Sequence, residues 1–181
     1  INGTGNGLGN VLEGNSGTNT LAGGPGNDTY IVQNVGDVVT ENASDGIDEV
    51  RSTVTYALGA NVENLVLLSS DPISGTGNAL DNFIRGNPAA NTLDGTGGAD
   101  TLQGLAGDDL YYVDNVGDVV TENASEGVDE VRSTVTYALG ANVENLTLLG
   151  SANINGTGNG LGNRSEEHTS ELQSQFRISY A

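Results

Sequence analysis

Apolar residues recur at nine-residue intervals along much of this chain. Blocks that begin at Gly14, Gly23, Gly86, Gly95 and Gly104 carry Asn or Asp at the sixth position and usually an apolar residue at the eighth. This pattern predicts a six-residue turn followed by a three-residue strand. Glycine allows the positive φ angles of such turns, and Asn and Asp tolerate them best among the other residues. The pattern also predicts one buried ladder, formed by Leu12, Leu21, Leu93 and Leu102.

Longer alternating segments separate these nonapeptide blocks. Residues 50–58 alternate between an inner and an outer face, which predicts one half-buried strand, and residues 131–139 repeat the pattern. The predicted inner face of the first segment consists of Val50, Ser52, Val54, Tyr56 and Leu58. Residues 62–68 predict another strand with a corner near Glu63. Since no stretch has helical periodicity, we predict an all-β fold.

The chain also contains a long internal repeat. Residues 114–149 nearly duplicate residues 33–68 at an offset of 81 positions, and the opening sequence INGTGNGLGN recurs at residues 154–163. Long self-similarity of this kind is typical of repeat architectures. Since the sequence begins inside the repeated pattern at Ile1, we expect it to be an excerpt of a longer protein.

The two repeat units differ in length by one nonapeptide. Gly3 and Gly75 are 72 positions apart, whereas Gly75 and Gly156 are 81 apart. A stacked solenoid can gain a complete rung without disturbing its neighbours. We therefore predict one continuous β-solenoid with a first repeat unit at residues 1–74 and a second at residues 75–163.

Residues 164–181 break the composition of the chain. They contain the only histidine, His168, and two of the five arginines. Residues 164–174 and 178–181 resemble the translation of a widely used sequencing adapter. We interpret the segment as a non-native, disordered tail without functional weight. The alternative is a natural polar tail.

The charge of the chain is strongly negative. Asp and Glu number 24 against five basic residues, which gives a formal net charge of −19. Such a chain attracts cations and repels nucleic acids and anionic membranes. It contains no apolar run of about 18 residues, so we expect no membrane insertion.

The residue types argue against an enzyme. Residues 1–163 lack His, Cys and Lys, so no activated nucleophile can be assembled from the usual side chains. The adjacent carboxylates Asp48 and Glu49, and their equivalents Asp129 and Glu130, are interpreted as solvated charges because neighbours on a strand point to opposite faces.

The glycine-rich turns offer oxygen ligands for a hard cation. Calcium takes six to eight oxygens from carboxylates and carbonyls. Glycine exposes backbone carbonyls, an aspartate adds charge, and two stacked turns can enclose an ion between them. The alternative is that the turns are metal-free corners of a β-solenoid.

Residues 23–31, GGPGNDTYI, resemble the nonapeptide of the RTX family, the hemolysin-type calcium-binding repeats. Residues 104–112 match the motif well, and residues 95–103 match it less well because Thr96 replaces the second glycine. The resemblance implies a parallel β-roll that holds calcium between turns two blocks apart. It also implies an extracellular or cell-surface bacterial protein, secreted by a type I route.

The resemblance assigns candidate ligands by position. The predicted carboxylates are Asp28, Asp100 and Asp109, and the predicted carbonyl ligands are those of Gly23, Pro25, Gly95, Gly97, Gly104 and Ala106. The two-block rule pairs the three aspartates with Asn10, Asn82 and Asn91 respectively. Each site would then hold a single carboxylate, so we expect a Kd on the order of 10⁻⁴–10⁻³ M. In sequence, Asn82, Asn91, Asp100 and Asp109 form one ladder at spacing nine.

Two functions remain open at this level. The first is a secreted module that folds when it binds calcium, since metal-binding free energy becomes folding free energy. The second is a metal-independent spacer or adhesin segment, whose partners would be neighbouring solenoid repeats or cell-surface glycans. The near-identical segments 50–58 and 131–139 motivate this second hypothesis.

Overall fold

The computed structural model describes the backbone of residues 2–167 and the side chains of residues 2–163. This part of the chain consists of short β-strands joined by turns and contains no helix. The strands are β1 (Gly3–Thr4), β2 (Val11–Glu13), β3 (Thr20–Ala22), β4 (Thr29–Val32), β5 (Val38–Val39), β6 (Glu49–Ser52), β7 (Tyr56–Ala57), β8 (Asn64–Leu67), β9 (Ser74–Thr76), β10 (Phe83–Arg85), β11 (Thr92–Asp94), β12 (Thr101–Gln103), β13 (Leu110–Val113), β14 (Val119–Thr121), β15 (Glu130–Ser133), β16 (Tyr137–Ala138), β17 (Asn145–Leu148), β18 (Gly156–Thr157) and β19 (Arg164–Glu167).

Successive strands alternate between two sides of a solenoid. The even strands β2 to β14 form one seven-stranded parallel sheet, which we call the even sheet, and the odd strands β7 to β19 form a second, the odd sheet. Two smaller parallel sheets hold β1, β3 and β5, and β16 and β18. Within each sheet, neighbouring strands are therefore two places apart along the chain. The predicted all-β, parallel solenoid is confirmed.

The nonapeptide pattern produces the turn and strand lengths that the sequence predicts. Residues 95–100 form a six-residue connection between β11 and β12. In both strands the middle residue, Leu93 or Leu102, is fully buried, and its neighbours are half-buried. The alternation of a pleated strand thus places the eighth residue of each block in the core.

The core contains separate side-chain ladders, one for each sheet. In the even sheet, Cα register aligns Leu12, Tyr30, Val50, Leu65, Ile84, Leu102 and Val120. In the odd sheet it aligns Tyr56, Gly75, Leu93, Tyr111, Val131 and Leu146. The prediction of a single leucine ladder is therefore wrong, although all four leucines are buried. One nonapeptide carries the chain across to the other sheet, so stacked neighbours lie two blocks apart.

The extra nonapeptide of the second unit moves equivalent segments onto different sheets. β6 lies in the even sheet, whereas its duplicate β15 lies in the odd sheet. The two near-identical segments that motivated an adhesin face therefore do not form one face.

Residues 50–58 form two strands instead of the predicted single one. β6 ends at Ser52 and β7 begins at Tyr56, in different sheets. The Ser52 hydroxyl donates to the Val54 carbonyl at 2.7 Å and accepts from the Val54 amide at 3.2 Å. These side-chain bonds satisfy the backbone at the corner, so the alternating pattern continues through a change of sheet.

The first residues of the tail do not follow the prediction of disorder. The backbone of β19 pairs with β17 in parallel register. The last rung of a solenoid presents unpaired N–H and C=O groups that accept another strand whatever its side chains. Residues 168–181, with His168, lie outside the described residues, and the domain boundaries remain a prediction.

Candidate metal sites

The opening glycine of a turn is required because the sixth side chain folds back over it. A Cβ on Gly23 would lie 2.0 Å from Asp28 Oδ2 and 2.4 Å from the Tyr30 hydroxyl. A Cβ on Gly104 would lie 2.0 Å from Asp109 Oδ2. Glycine at the first position therefore makes room for the oxygen that the carboxylate presents.

Turns with Asn at the sixth position are closed by an internal hydrogen bond. Asn10 Oδ1 accepts from the backbone N–H of Asn6 at 2.7 Å, and Asn82 Oδ1 accepts from that of Asn78 at 2.7 Å. The same bond joins Asn91 to the N–H of Asn87. In these turns the side-chain oxygen is already occupied.

Turns with Asp at the sixth position present a free oxygen. The Oδ2 atoms of Asp28, Asp100 and Asp109 are buried and have no hydrogen-bond partner. The second residue of each of these turns has positive φ, and these residues are Gly24 at 85°, Thr96 at 60° and Leu105 at 76°. For a residue other than glycine this conformation costs roughly 1–2 kcal/mol. The chain thus bears a conformational cost at the turns whose carboxylate oxygen is unpartnered.

The structure places each predicted aspartate beside its predicted asparagine. Asp28 Oδ1 accepts from the Asn10 N–H at 2.6 Å, and Asp100 and Asp109 accept in the same way from Asn82 and Asn91 at 2.7 Å. These partners are 18 positions apart. The interpretation of Asn82, Asn91, Asp100 and Asp109 as one ladder is therefore wrong, because alternate blocks belong to different sheets.

The first-position carbonyls point toward the preceding turn on the same edge. Gly23 O and Asn10 Oδ1 would lie 2.3 and 2.2 Å from a Cβ on Gly5. In the same way, Gly95 O and Asn82 Oδ1 would both lie 2.4 Å from a Cβ on Gly77, and Gly104 O and Asn91 Oδ1 would lie 2.6 and 2.3 Å from a Cβ on Gly86. Pro25, Gly97 and Ala106 lie in the same turns, and their carbonyls remain predicted ligands.

Two clusters of three buried carboxylates lie at these edges, one in each unit. The first consists of Asp28, Glu41 and Asp48, and the second of Asp109, Glu122 and Asp129. In each cluster, one oxygen per residue lies within 4.8 Å of the others. We call these clusters the first and second triads. Their six residues are 7% exposed or less.

Both ends of the strands contribute to a triad. Asp28 and Asp48 directly precede β4 and β6 of the even sheet, and Asp48 Oδ1 accepts from the Asp28 N–H at 2.7 Å. Glu41 follows β5 on the other side of the solenoid and reaches the same edge, where its Oε1 accepts from the Gly23 N–H at 3.2 Å. The crossing segment after β5 thus adds a third carboxylate.

Sequence reasoning missed four of the six triad residues. Asp48 and Asp129 were interpreted as solvated charges, which is wrong, since each is 1% exposed. The signal was present, because Gly46-Ile47-Asp48 precedes a buried valine much as Gly26-Asn27-Asp28 precedes a buried tyrosine. Glu41 and Glu122 lie outside any nonapeptide pattern and carry no such signal. The expected single carboxylate per site therefore does not describe Asp28 or Asp109.

Burial and the repulsion of neighbouring carboxylates raise the pKa of five carboxyl groups in the two triads. Desolvation, reinforced by neighbouring carboxylates, raises the pKa of Glu41 to about 7, that of Asp109 to about 7 and that of Glu122 to about 8. The same causes raise the pKa of Asp129 to about 6 and also raise the pKa of Asp48. Asp100, outside the triads, has its pKa raised to about 6, chiefly by burial. Without a cation, these groups hold protons that an unfolded chain would release.

The metal-free protein is therefore expected to become less stable as the pH rises. Because the folded-state pKa values lie above the ordinary values of 3.8 and 4.5, the stabilisation is complete below about pH 4. It is lost as the pH rises through about 6 to 8. Thermal melts in chelator should show a lower melting temperature at pH 8 than at pH 5. A melting temperature that stays level or climbs over this interval would contradict these pKa shifts.

The donor set fits calcium. The buried carboxylate oxygens without partners are Asp28 Oδ2, Glu41 Oε2, Asp48 Oδ2, Asp100 Oδ2, Asp109 Oδ2 and Glu122 Oε2. Buried polar atoms are almost always hydrogen-bonded, and a buried charge needs a counter-charge. A hard cation with oxygen ligands supplies both requirements.

Within residues 2–167, the structure shows no helix long and apolar enough to cross a membrane.

Comparison with known proteins identifies the repeats. The family model described as RTX calcium-binding nonapeptide repeat (4 copies) matches residues 4–37 and 76–120. The chain is also similar to the Endo-1,3-1,4-beta-glycanase ExsH of Rhizobium meliloti (strain 1021), with 36% identity over 67 residues. That match spans 37% of this chain and 14% of the glycanase. No solved structure matches the chain at a significant level.

Proposed function

We propose that this chain, which carries RTX calcium-binding nonapeptide repeats at residues 4–37 and 76–120, is a structural module of a secreted bacterial protein that folds when it binds calcium. The observation that carries the proposal is the set of buried, unpartnered carboxylate oxygens at the turn edges. A chain with a net charge of −19 opposes its own compaction until cations bind.

Turn residues would bind the ions, and the strands would hold the turns in place. The carbonyls of Gly23, Gly95 and Gly104 and the side chains of Asp28, Asp100 and Asp109 would hold the ions. Bound calcium supplies the positive charge that lets stacked carboxylates stay ionised inside the solenoid. The short strands then hold each turn in register with the turn two blocks away.

Calcium availability would set where the module folds. Proteins with these repeats are typically secreted, and calcium is scarce in the cytosol and abundant outside the cell. We infer that the chain leaves the cell unfolded, through a type I route, and folds on arrival because binding energy becomes folding energy. The same coupling would place the folded module in the extracellular space or on the cell surface.

We infer that the chain contributes structure and not catalysis. The matched repeats are a calcium-binding structural family and not an enzyme family. The glycanase named above shares only a short segment with this chain. The Tyr30 and Tyr111 side chains, which could have formed a sugar platform if exposed, are fully buried.

The test is far-UV circular dichroism of the metal-free chain at pH 8, recorded before and after addition of millimolar calcium. We expect calcium to convert the spectrum of a destabilised, partly unfolded chain into one of full β-structure, and chelator to reverse the change. Magnesium at the same concentration is the control for ionic strength, and it should act more weakly because it demands octahedral geometry. A β-spectrum that is identical in chelator and in calcium would instead support the metal-independent spacer or adhesin.

A further inference from the structure

Glu41 and Glu122 do not belong to the repeats that the family model matches. They lie after residues 37 and 120, where those matches end. Each is nevertheless buried, at 7% and 6% exposure, and each has an Oε2 atom without a hydrogen-bond partner. A buried, unpartnered carboxylate oxygen in a nonrepeat segment is costly unless something binds it.

The two glutamates occupy equivalent places in the two units. Glu41 follows β5 and meets Asp28 and Asp48, whereas Glu122 follows β14 and meets Asp109 and Asp129. The two triads lie on different sides of the solenoid, because the extra nonapeptide shifts the second unit by one strand. The two triads therefore have the same arrangement of two aspartates and one glutamate, although the first lies at the even sheet and the second at the odd sheet.

A tyrosine hydroxyl lies against each triad. Tyr30 is fully buried, and its hydroxyl accepts from the Gly23 N–H at 2.7 Å, a donor shared with Glu41 Oε1. In the second unit the Tyr111 hydroxyl donates to Glu122 Oε1. Each triad thus has a tyrosine chromophore beside it, which in the second unit contacts a triad carboxylate directly and in the first shares a donor with one.

The surroundings of the triads contain further acids. The charged side chains that repel the first triad from neighbouring segments are Asp45 and Glu63. Those that repel the second are Asp108, Glu126 and Glu144. Among the described side chains, Arg51 and Arg132 pair instead with Glu49 and Glu130. A bound cation would therefore supply the positive charge that balances the carboxylates of each triad.

We propose that Glu41 and Glu122 each complete a three-carboxylate cation site, which shares Asp28 or Asp109 with a nonapeptide turn and extends beyond it, and which takes calcium and binds a trivalent ion of the lanthanide class more tightly. The proposal rests on the calcium-binding function proposed above. Three carboxylates neutralise a trivalent ion fully, and Coulomb attraction grows with the product of the charges. The turn of Asp100, which faces Asn82, offers fewer charges and binds both ions more weakly.

The test is a terbium titration of the full 181-residue chain, following terbium emission sensitised by tyrosine. The wild type should bind two tight ions, one per triad. Glu41→Gln should leave one, and the double variant Glu41→Gln with Glu122→Gln should leave none, with affinity at the damaged triad reduced roughly tenfold or more. Glu13→Gln, which neutralises an exposed glutamate on β2, should keep both.

The controls separate loss of a ligand from loss of the fold. Glutamine has the size of a protonated glutamate, so the metal-free variants should retain the β-spectrum at pH 5. Glu41→Asp keeps the negative charge but shortens the side chain by one methylene group. It should therefore also weaken terbium binding at the first triad. If either glutamine variant fails to fold, this aspartate variant decides, and undiminished terbium affinity in it overturns the proposal.

The outcomes also distinguish the two proposals. A double variant that keeps two tight, tyrosine-sensitised terbium ions overturns the role of Glu41 and Glu122 but leaves the calcium module intact. A wild-type chain that binds neither terbium nor calcium and folds without them overturns both. A double variant that loses the tight ions yet still responds to millimolar calcium supports both, because the turn of Asp100 remains.

Discussion

Gly104→Ala is expected to destabilise the protein by about 3 kcal/mol, at the upper end of the cost of overpacking a core. The added Cβ would lie 2.0 Å from Asp109 Oδ2 and 2.2 Å from the hydroxyl of the fully buried Tyr111. Neither group can move away without disturbing the core or the second triad. The same change should therefore also remove calcium binding at that triad, as measured by chemical denaturation with and without calcium.

The matched control is Gly97→Ala, in the neighbouring turn. A Cβ on Gly97 would meet no atom within 4 Å, and its carbonyl, a predicted ligand, is retained. Its stability should change by less than about 0.5 kcal/mol. Equal losses in the two variants would show that alanine acts through general turn flexibility, and not through the carboxylate that lies over Gly104.

Replacing Asp28 and Asp109 together by asparagine is expected to remove most of the stabilisation that calcium gives. A site held at 100 times its Kd contributes about 2.7 kcal/mol, so the loss of two triads should cost about 5 kcal/mol in calcium at pH 8. In chelator at the same pH the double variant should be at least as stable as the wild type, because each triad then buries two carboxylates that repel each other instead of three. Denaturant unfolding under both conditions measures the difference.

Asp71→Asn is the control for removal of charge, since Asp71 is exposed and lies outside both triads. It should leave the calcium-dependent stabilisation unchanged. Should the double variant retain the full calcium response, the ligands must lie elsewhere, and the assignment of the triads would fail.

The sequence predicted the repeating units of this fold well because each unit is local. A glycine-rich turn followed by an alternating triplet specifies a turn and a strand without help from the rest of the chain. How the units stack is not a local property. Leu12 and Leu21 look equivalent in sequence, yet they line different sheets, because one nonapeptide carries the chain to the other side. The break between β6 and β7 was missed for a related reason, since the side-chain alternation continues through the corner at Ser52.

The candidate sites were predicted only as far as the nonapeptide motif extends. Asp28, Asp100 and Asp109 were found because they follow glycine-rich turns, and their asparagine neighbours followed from the two-block spacing. Glu41 reaches Asp28 from across the solenoid, 13 positions along the chain and from the end of a strand in another sheet. Such a contact depends on the stacking of rungs, which no local pattern encodes. Asp48 was within reach of sequence reasoning, but its neighbour Glu49 made the pair look like a solvated charge run.

The most direct test of the account is a crystal structure of the chain grown in calcium, with anomalous data to identify the ions. We predict an ion in each triad, about 2.3–2.6 Å from the Oδ2 atoms of Asp28 and Asp109 and from the carboxylates that accompany them. Electron density that shows the solenoid folded in calcium, with water alone or direct hydrogen bonds between protonated carboxyl groups in both triads, would contradict it.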